Sequence, residues 1–317
     1  YSEQSQNDLI SDLENTLISS VDRASSADVE VGSLLSGGID STLITCLMQS
    51  IAQKPIRTFT IGSSKNKFNE ATFAKNISNY LKTNHTELYV SDETLVETVE
   101  KVNAVYDEPF SDTSKILFYL VSKLAVSDVK TVLSGDGADE LFGGYNRYIY
   151  GSKFWNSNSK IPLVIRENLG LTMLKFSPVC RFLGKSEMDI KVQKLAASFS
   201  AKDNQEFYHK ISSLQYANLV SFGSYNWRDN FVKKLTTGSI EEQMMYWDFN
   251  TYLPDNVLVK VDRASMFCGL EVRSPFLSKE VIEFSRKLPM QLKIKNRSGK
   301  NILKEILRRH VPEELWD

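Results

Sequence analysis

The sequence predicts an α/β fold, a doubly wound parallel sheet with a mainly helical C-terminal half. Three observations carry that expectation. Short β-rich runs alternate with stretches of helical periodicity from residue 9 to residue 133, as in parallel strands covered by helices on both faces. Two glycine-containing acidic motifs, at residues 36–41 and 134–140, each follow a strand-like run directly. In such sheets ligands bind outside the carboxyl ends of the strands, so the two motifs should meet at one edge. From about residue 150 onward, strand-like alternation nearly disappears and helical stretches with aromatics dominate.

Taken in order, Leu9, Ile10, Leu13, Leu17, Ile18 and Val21 have amphipathic helical spacing. Residues 31–35 read as a buried strand broken by Ser36-Gly37-Gly38, and Leu43, Ile44, Leu47, Met48 and Ile51 mark the helix that follows. Pro55 punctuates, residues 56–61 form a second strand and Gly62 ends it. Ala71, Ala74, Ile77, Tyr80 and Leu81 give a helix, residues 86–90 a third strand, and Leu95, Val96, Val99 and Val102 another helix. A long helix is expected over residues 113–127, and 131–133 is a last short strand before Ser134-Gly135. Helices are expected again at 205–218, 239–252, 278–287 and 300–310. The expected division is a nucleotide-binding α/β part over 1–150 and a mainly helical part over 151–317, with no internal repeat.

Composition narrows the classes. The 317 residues are 42% hydrophobic and 24% charged, with a formal net charge of -1, ordinary globular values. That balance does not favour a polyanion such as nucleic acid and leaves a small anionic ligand open. Cys46, Cys180 and Cys268 are too few and scattered for a disulfide framework, and with only His85, His209 and His310 beside them a zinc site is not expected. No apolar run approaches the ~20 residues that span a membrane, and the polar start at 1–7 does not read as a signal peptide. The expectation is a soluble cytoplasmic protein with neither nucleic-acid nor membrane partners; a homodimer is left open.

The run Leu34-Leu35-Ser36-Gly37-Gly38-Ile39-Asp40-Ser41 joins a strand to a helix. Its glycines let the backbone approach a ligand, and the exposed amides at the helix start make an anion site. Ser36 and Ser41 can add hydroxyl donors. Asp40 beside a polyphosphate is repulsive unless a cation lies between them, which makes it a candidate Mg²⁺ ligand. The plainer alternative is an ordinary turn with Asp40 and Ser41 near the helix N-cap. The chain has no G-x-x-x-x-G-K-[ST] and no well-placed G-x-G-x-x-G. Its SGGxDS resembles instead the pyrophosphatase loop of the N-type ATP pyrophosphatases. That resemblance implies an adenine nucleotide α-hydrolase-like fold and cleavage of ATP to AMP and pyrophosphate.

Asp136, Asp139 and Glu140 fall within five residues of one another. Such a cluster raises its own pKa values unless a cation or ammonium enters; a solvated acidic turn is the plainer reading. With Leu141-Phe142-Gly143-Gly144-Tyr145, the segment resembles the second signature of asparagine synthetases, S-G-[ED]-G-x-D-E followed by x-F-G-G-Y. The resemblance implies Asp139 as the second Mg²⁺ ligand beside Asp40. It implies Asp136 as the catalytic carboxylate that promotes ammonia attack, and Glu140 as the group holding the amino acid's α-ammonium. Asp136 is one methylene shorter than the Glu of some members.

Lys260, Asp262, Arg263, Glu271 and Arg273 read by composition as a salt-bridged helix. Their order from Leu253 to Leu277 matches the family pattern L-P-D-x-x-L-x-K-x-D-R-x-S-M-x-x-x-L-E-x-R-x-P-F-L-D, with Ser278 replacing the last Asp; Ser can still cap a helix. Gly299-Lys300-Asn301-Ile302-Leu303-Lys304-Glu305 resembles the K-x-x-L-[RK]-E segment. By that resemblance Lys300, otherwise a solvent-facing lysine at a helix start, stabilises charge on the phosphates. Asp107-Glu108-Pro109-Phe110-Ser111-Asp112 and Phe68-Asn69-Glu70 are also family-like, and His85 reads as structural. The resemblance covers roughly residues 9–316.

It implies an ATP- and Mg²⁺-dependent ligase that amidates a carboxylate, aspartate to asparagine, through an acyl-adenylate. Leu34, Ile61 and Gly135 would line the adenosine site, and Ser36, Gly37, Gly38, Asp40 and Ser41 the pyrophosphate site. Full members begin with a glutaminase domain that has no counterpart in this sequence. The expectation is therefore a fragment or a separate glutaminase partner, with free ammonia or another amine as nitrogen donor. Open alternatives are a relative acting on another carboxylate (β-lactam synthetase, peptide cyclase or polysaccharide-modifying amidotransferase) and a catalytically silent ATP-binding domain.

Overall fold

The computed structural model describes residues 5–63, 70–182, 186–212 and 237–316. Phe68, Asn69, the end of the 205–218 helical pattern, the Cys180 side chain and Asp317 lie outside the described residues. The chain divides into two compact units, Tyr1–Gly144 with Thr251–Asp317, and Tyr145–Asn250.

The first unit opens with α1 (Gln6–Ser25). Its start is fixed by a capping box in which the Ser5 hydroxyl accepts the Asp8 N–H and the Asp8 carboxylate accepts the Ser5 N–H. Then follow β1 (Val31–Leu34), α2 (Ile39–Ile51), β2 (Arg57–Ser63), α3 (Glu70–Leu81) and β3 (Asn84–Val90). Next come α4 (Asp92–Asn103), α5 (Ser114–Ala125), β4 (Thr131–Leu133) and the short α6 (Ala138–Phe142). All four strands predicted from alternation are present, each within a residue or two of its expected position.

The sheet has the order β3-β2-β1-β4-β5, and every pairing is parallel. The chain moves outward from β1 through β2 to β3 and then returns to β4 on the other side of β1. Right-handed crossovers place the connecting helices of the two directions on opposite faces. On one face α2 packs against α1 and α3; on the other α4 packs against α5. The apolar layer beneath α4 and α5 holds Val90, Val102, Val105, Tyr106, Tyr119 and Leu120. A second layer on the sheet joins Phe59, Ala125, Val129, Val132 and Leu270. The switch point between β1 and β4 is where both acidic loops leave the sheet, the position at which open α/β sheets bind ligands.

The second unit contains α7 (Ser152–Asn158), α8 (Leu163–Phe182), α9 (Ser186–Phe199), α10 (Asn204–Ser212) and α11 (Ile240–Asn250). Its interior is partly polar. Asp248, wholly buried, accepts hydroxyl bonds from Tyr148 and Tyr208, both at 2.5 Å, and an Arg147 Nε bond at 2.7 Å.

The chain then returns to the sheet with α12 (Val259–Phe267), β5 (Glu271–Arg273), α13 (Lys279–Lys287), α14 (Met290–Lys293) and α15 (Asn301–Arg308). Residues 251–317, expected from the sequence to continue the helical part, thus share the core of the α/β unit. β5 is a strand that the sequence does not announce: Glu271 and Arg273 flank a single apolar Val272, and three residues are too few to establish a period. Pairing with β4 and burial of the preceding Leu270 determine it. α12 packs on α5, and Ser278 caps α13 by accepting the Val281 N–H, as expected of that substitution. The side chains of 260–273 form ion pairs, including Arg263 with Asp262 and Asp107, and Arg273 with Glu271 at 2.9 Å.

Phe276 links the fold to the acidic loop. Fully buried, it meets Phe142 of α6 edge-on with ring centroids 6.0 Å apart. Phe276→Ala should cost about 3–5 kcal/mol through lost burial and a residual cavity, read as a lower midpoint in urea denaturation. A shift below about 1 kcal/mol would mean that the neighbouring side chains collapse into the space.

Candidate active site

β1 delivers the first loop. Leu34 ends the strand half-buried, and Ser36 and Ser41 bond each other through their hydroxyls at 2.9 Å. The Ser41 Oγ also accepts the Ser36 N–H at 3.2 Å, which holds the turn closed across Gly37 and Gly38. Gly38 is the N-cap of α2 and offers no side-chain cap, so the first-turn amides of this 13-residue helix face outward. That is the open helix start an anion needs. Ile61 sits on β2 two residues beyond Phe59, itself the register partner of Leu34. Leu34 and Ile61 therefore flank the carboxyl ends of adjacent strands.

β4 delivers the second loop, held against the first by a close approach. A Cβ on Gly135 would stand 2.8 Å from both the Asp40 Cβ and the Ser41 backbone nitrogen, so only glycine lets the loops touch. Asp139 and Glu140 follow on α6, with Glu140 buried at 2% exposure.

The third contribution arrives from far along the chain. α15 buries Ile302, Leu303, Ile306 and Leu307 completely and packs on α1 and α2, which brings its first turn to the first turn of α2. Lys300 is its N-cap, in the left-handed region with φ of 57°, and its N–H bonds the Phe142 carbonyl at 3.0 Å. The same residue is thus tied through its backbone to the helix that carries Asp139.

Its side chain completes the site. The Lys300 Nζ lies 2.6 Å from Asp40 Oδ2 and 2.7 Å from Asp139 Oδ1. A Cβ at Gly144 would fall 1.8 Å from Asp139 Oδ1 and 2.1 Å from Lys300 Cε. Gly144 is therefore required by the ion pair itself, a role the sequence reading missed although the Gly143-Gly144 pair was the available signal.

Burial dominates the electrostatics. It raises the Asp40 pKa to about 6; Lys300 opposes that rise, while Asp139 and Asp136 add to it. Burial alone would lower the Lys300 pKa, but Asp40 and Asp139 overcome it and hold the ammonium above its ordinary range. Asp136 is raised by burial and by Asp139, against a Ser134 hydrogen bond and the charge of Lys260. Lys260 is a second residue whose position was not foreseen. Its ammonium is held by Ser114 Oγ at 3.1 Å and Asp112 Oδ2 at 3.4 Å, within electrostatic reach of Asp136. His85, read as structural, bonds the Thr58 hydroxyl through Nδ1 at 2.9 Å.

The donor set fits a hard divalent cation. Asp40 Oδ1 is buried and has no hydrogen-bond partner among the described residues, and two carboxylates from different loops converge on one positive charge. No group of three metal-ligating side chains occurs among the described residues. Two carboxylates suit Mg²⁺, which keeps waters and takes its other oxygens from phosphates.

The profile of the asparagine synthase family matches residues 12–317. The chain belongs to that family. It is 30% identical over 309 residues to asparagine synthetase [glutamine-hydrolyzing] 1 of Bacillus subtilis, an alignment covering 97% of this chain and 48% of the relative. It is 34% identical over 249 residues to putative asparagine synthetase [glutamine-hydrolyzing] 2 of Methanocaldococcus jannaschii, covering 76% of this chain and 46% of the relative. The chain thus spans about half the length of these relatives. Among solved structures, NMN synthetase from Francisella tularensis aligns with 44% of this chain and 59% of its own, at 18% identity and a TM-score of 0.30.

Two outcomes test the triad. Lys300→Met leaves two partly buried carboxylates uncompensated and should destabilise the protein by about 2–3 kcal/mol, below the usual figure for a fully buried pair because Asp139 is about one-third exposed. Millimolar Mg²⁺ should then raise the melting temperature of Lys300→Met more than that of the native protein. Equal Mg²⁺ responses would count against a cation site at Asp40 and Asp139.

Proposed function

We propose that this chain joins ammonia to a carboxylate at the expense of ATP, aspartate to asparagine, by way of an acyl-adenylate. The observation that carries the reading is the convergence of Asp40 and Asp139, from two loops at the sheet's switch point, on the ammonium of Lys300.

In this reading ATP lies across the carboxyl ends of β1 and β2. Leu34, Ile61 and Gly135 line the adenosine, and the open first turn of α2, with Ser36, Gly37, Gly38 and Ser41, receives the pyrophosphate portion. Asp40 and Asp139 would hold Mg²⁺, which when bound neutralises phosphate charge. The substrate carboxylate attacks the α-phosphorus, the bond to the bridging oxygen of pyrophosphate breaks, and an acyl-adenylate forms. Lys300 stabilises the charge that grows on the α-phosphate and the departing pyrophosphate, a fixed cation in a site of low polarity. Ammonia then attacks the acyl carbon, its surplus proton leaves the nitrogen, and AMP departs. Asp136 takes that proton at its carboxylate, and its raised pKa makes it a better acceptor than an ordinary aspartate. Glu140 holds the α-ammonium of the amino acid. The nitrogen comes from free ammonia or from a glutaminase domain or subunit.

Purified chain given ATP, Mg²⁺, aspartate and ammonium chloride should yield AMP, pyrophosphate and asparagine in equal amounts. Lys300→Ala should lower kcat/KM by about 10²–10³-fold, the usual loss of one transition-state donor. Asp136→Asn should retain formation of pyrophosphate and lose asparagine. ATP binding without turnover of aspartate would move the reading to another carboxylate, and no ATP binding would sink it.

A further inference from the structure

The second unit holds a cleft that shares no residue with the acidic site. Tyr150, just before α7, Lys153, Phe154, Ser157 and Asn158 on α7, and Ile161, just beyond it, line one side. Together with Phe199 at the end of α9 they border a shallow, open cleft of about 510 Å³, a volume in the range of small-molecule sites.

The walls are fixed in advance. The Arg166 guanidinium donates to the Ile161 carbonyl at 3.0 Å on one wall and to the carbonyls of Phe199 and Ala201, at 3.4 and 2.8 Å, on the other. Phe154 meets Phe199 edge-on at 5.3 Å between centroids and stacks on Phe207 at 6.0 Å. Behind them the Trp155 indole N–H bonds Asn204, whose amide bonds Gln243. A cleft braced in this way loses little on binding, because its side chains are already ordered.

Two polar features distinguish it from a plain apolar groove. Asn158 is 4% exposed, and its carboxamide nitrogen is buried with no hydrogen-bond partner among the described residues. Such a donor is costly unless an acceptor reaches it. Lys153 stands exposed at the rim on the same face and makes no ion pair among the described residues. A buried donor, a free cation and aromatic walls together call for one kind of occupant.

We propose that this cleft binds a small amphipathic carboxylate, with an aromatic or aliphatic body against Tyr150, Phe154, Ile161 and Phe199 and its carboxylate shared between Asn158 and Lys153. The site is independent of the amidation reading and would stand if that reading failed.

The test is isothermal titration of the whole chain with 4-phenylbutyrate and with the neutral 4-phenyl-1-butanol. The acid should bind once per chain with a Kd of roughly 0.1–1 mM, ordinary for a ligand of that size, and the alcohol about tenfold more weakly. Lys153→Met, a surface change that leaves the fold intact, should remove that preference for the acid. Asn158→Leu should weaken the acid about tenfold. Absence of saturable binding, equal affinity for acid and alcohol, or unchanged affinity in Lys153→Met would overturn the proposal. So would loss of binding in neither variant, which would assign the Asn158 donor to an ordered water.

Discussion

Two carboxylates on separate loops must share one positive charge, and much of the α/β unit can be understood from that demand. Asp40 is set by the end of β1 and Asp139 by the end of β4. The two strands are neighbours and parallel, so both loops emerge on the same edge of the sheet. Burial holds Asp40 raised to about 6 even with the Lys300 ammonium beside it opposing the rise. The lysine comes from 260 residues away along the chain. Its arrival depends on the apolar face of α15, whose four buried residues seat the helix against α1 and α2. Hydrophobic burial at 302–307 thereby fixes an electrostatic contact at 300.

The glycines around the triad express the same constraint in steric form. Gly135 lets the two acidic loops touch, and Gly144 leaves room for the Asp139 carboxylate and the Lys300 stem. Lys300 itself adopts a left-handed backbone, which glycine would tolerate more readily. A lysine kept in that conformation, with its N–H committed to Phe142, indicates that the surrounding contacts over-determine the position. An uncommon backbone conformation and buried charge are thus concentrated at one place.

Much of this was legible in the sequence because the informative signals were local. The strands at 31–35, 56–61, 86–90 and 131–133 show themselves by β-rich runs ended by glycine or serine, and the helices between them by regular apolar spacing. The two acidic loops could be placed at one sheet edge from topology alone, since both follow strands. What was not legible depended on contacts between distant residues. β5 has one apolar residue between two charged ones, and only pairing with β4 makes it a strand. Its recruitment draws residues 251–317 back to the sheet, so the expected boundary at 150 describes composition better than packing. Lys300 was singled out by resemblance, whereas its two partners are visible only in three dimensions. Lys260 read as one charge among several on a helix; Asp112 and Ser114 fix its ammonium near Asp136.

The triad also bears on how a site can be both stable and receptive. An ammonium between two carboxylates compensates their burial in the absence of any ligand, so the loops hold their positions before a nucleotide arrives. The compensation is incomplete: Asp40 Oδ1 has no partner among the described residues, and the first turn of α2 has no side-chain cap. These two deficits differ in sign, one asking for a cation and the other for an anion, and they lie within two residues of each other on α2. A polyphosphate carrying a divalent cation satisfies both at once, whereas a bare anion would meet the Asp40 charge and a bare cation the positive end of the helix. Under the proposed function the same geometry would favour the pair over either ion alone. In that reading Lys300 would be free to follow negative charge as it develops, because its two carboxylate partners would have another counter-ion.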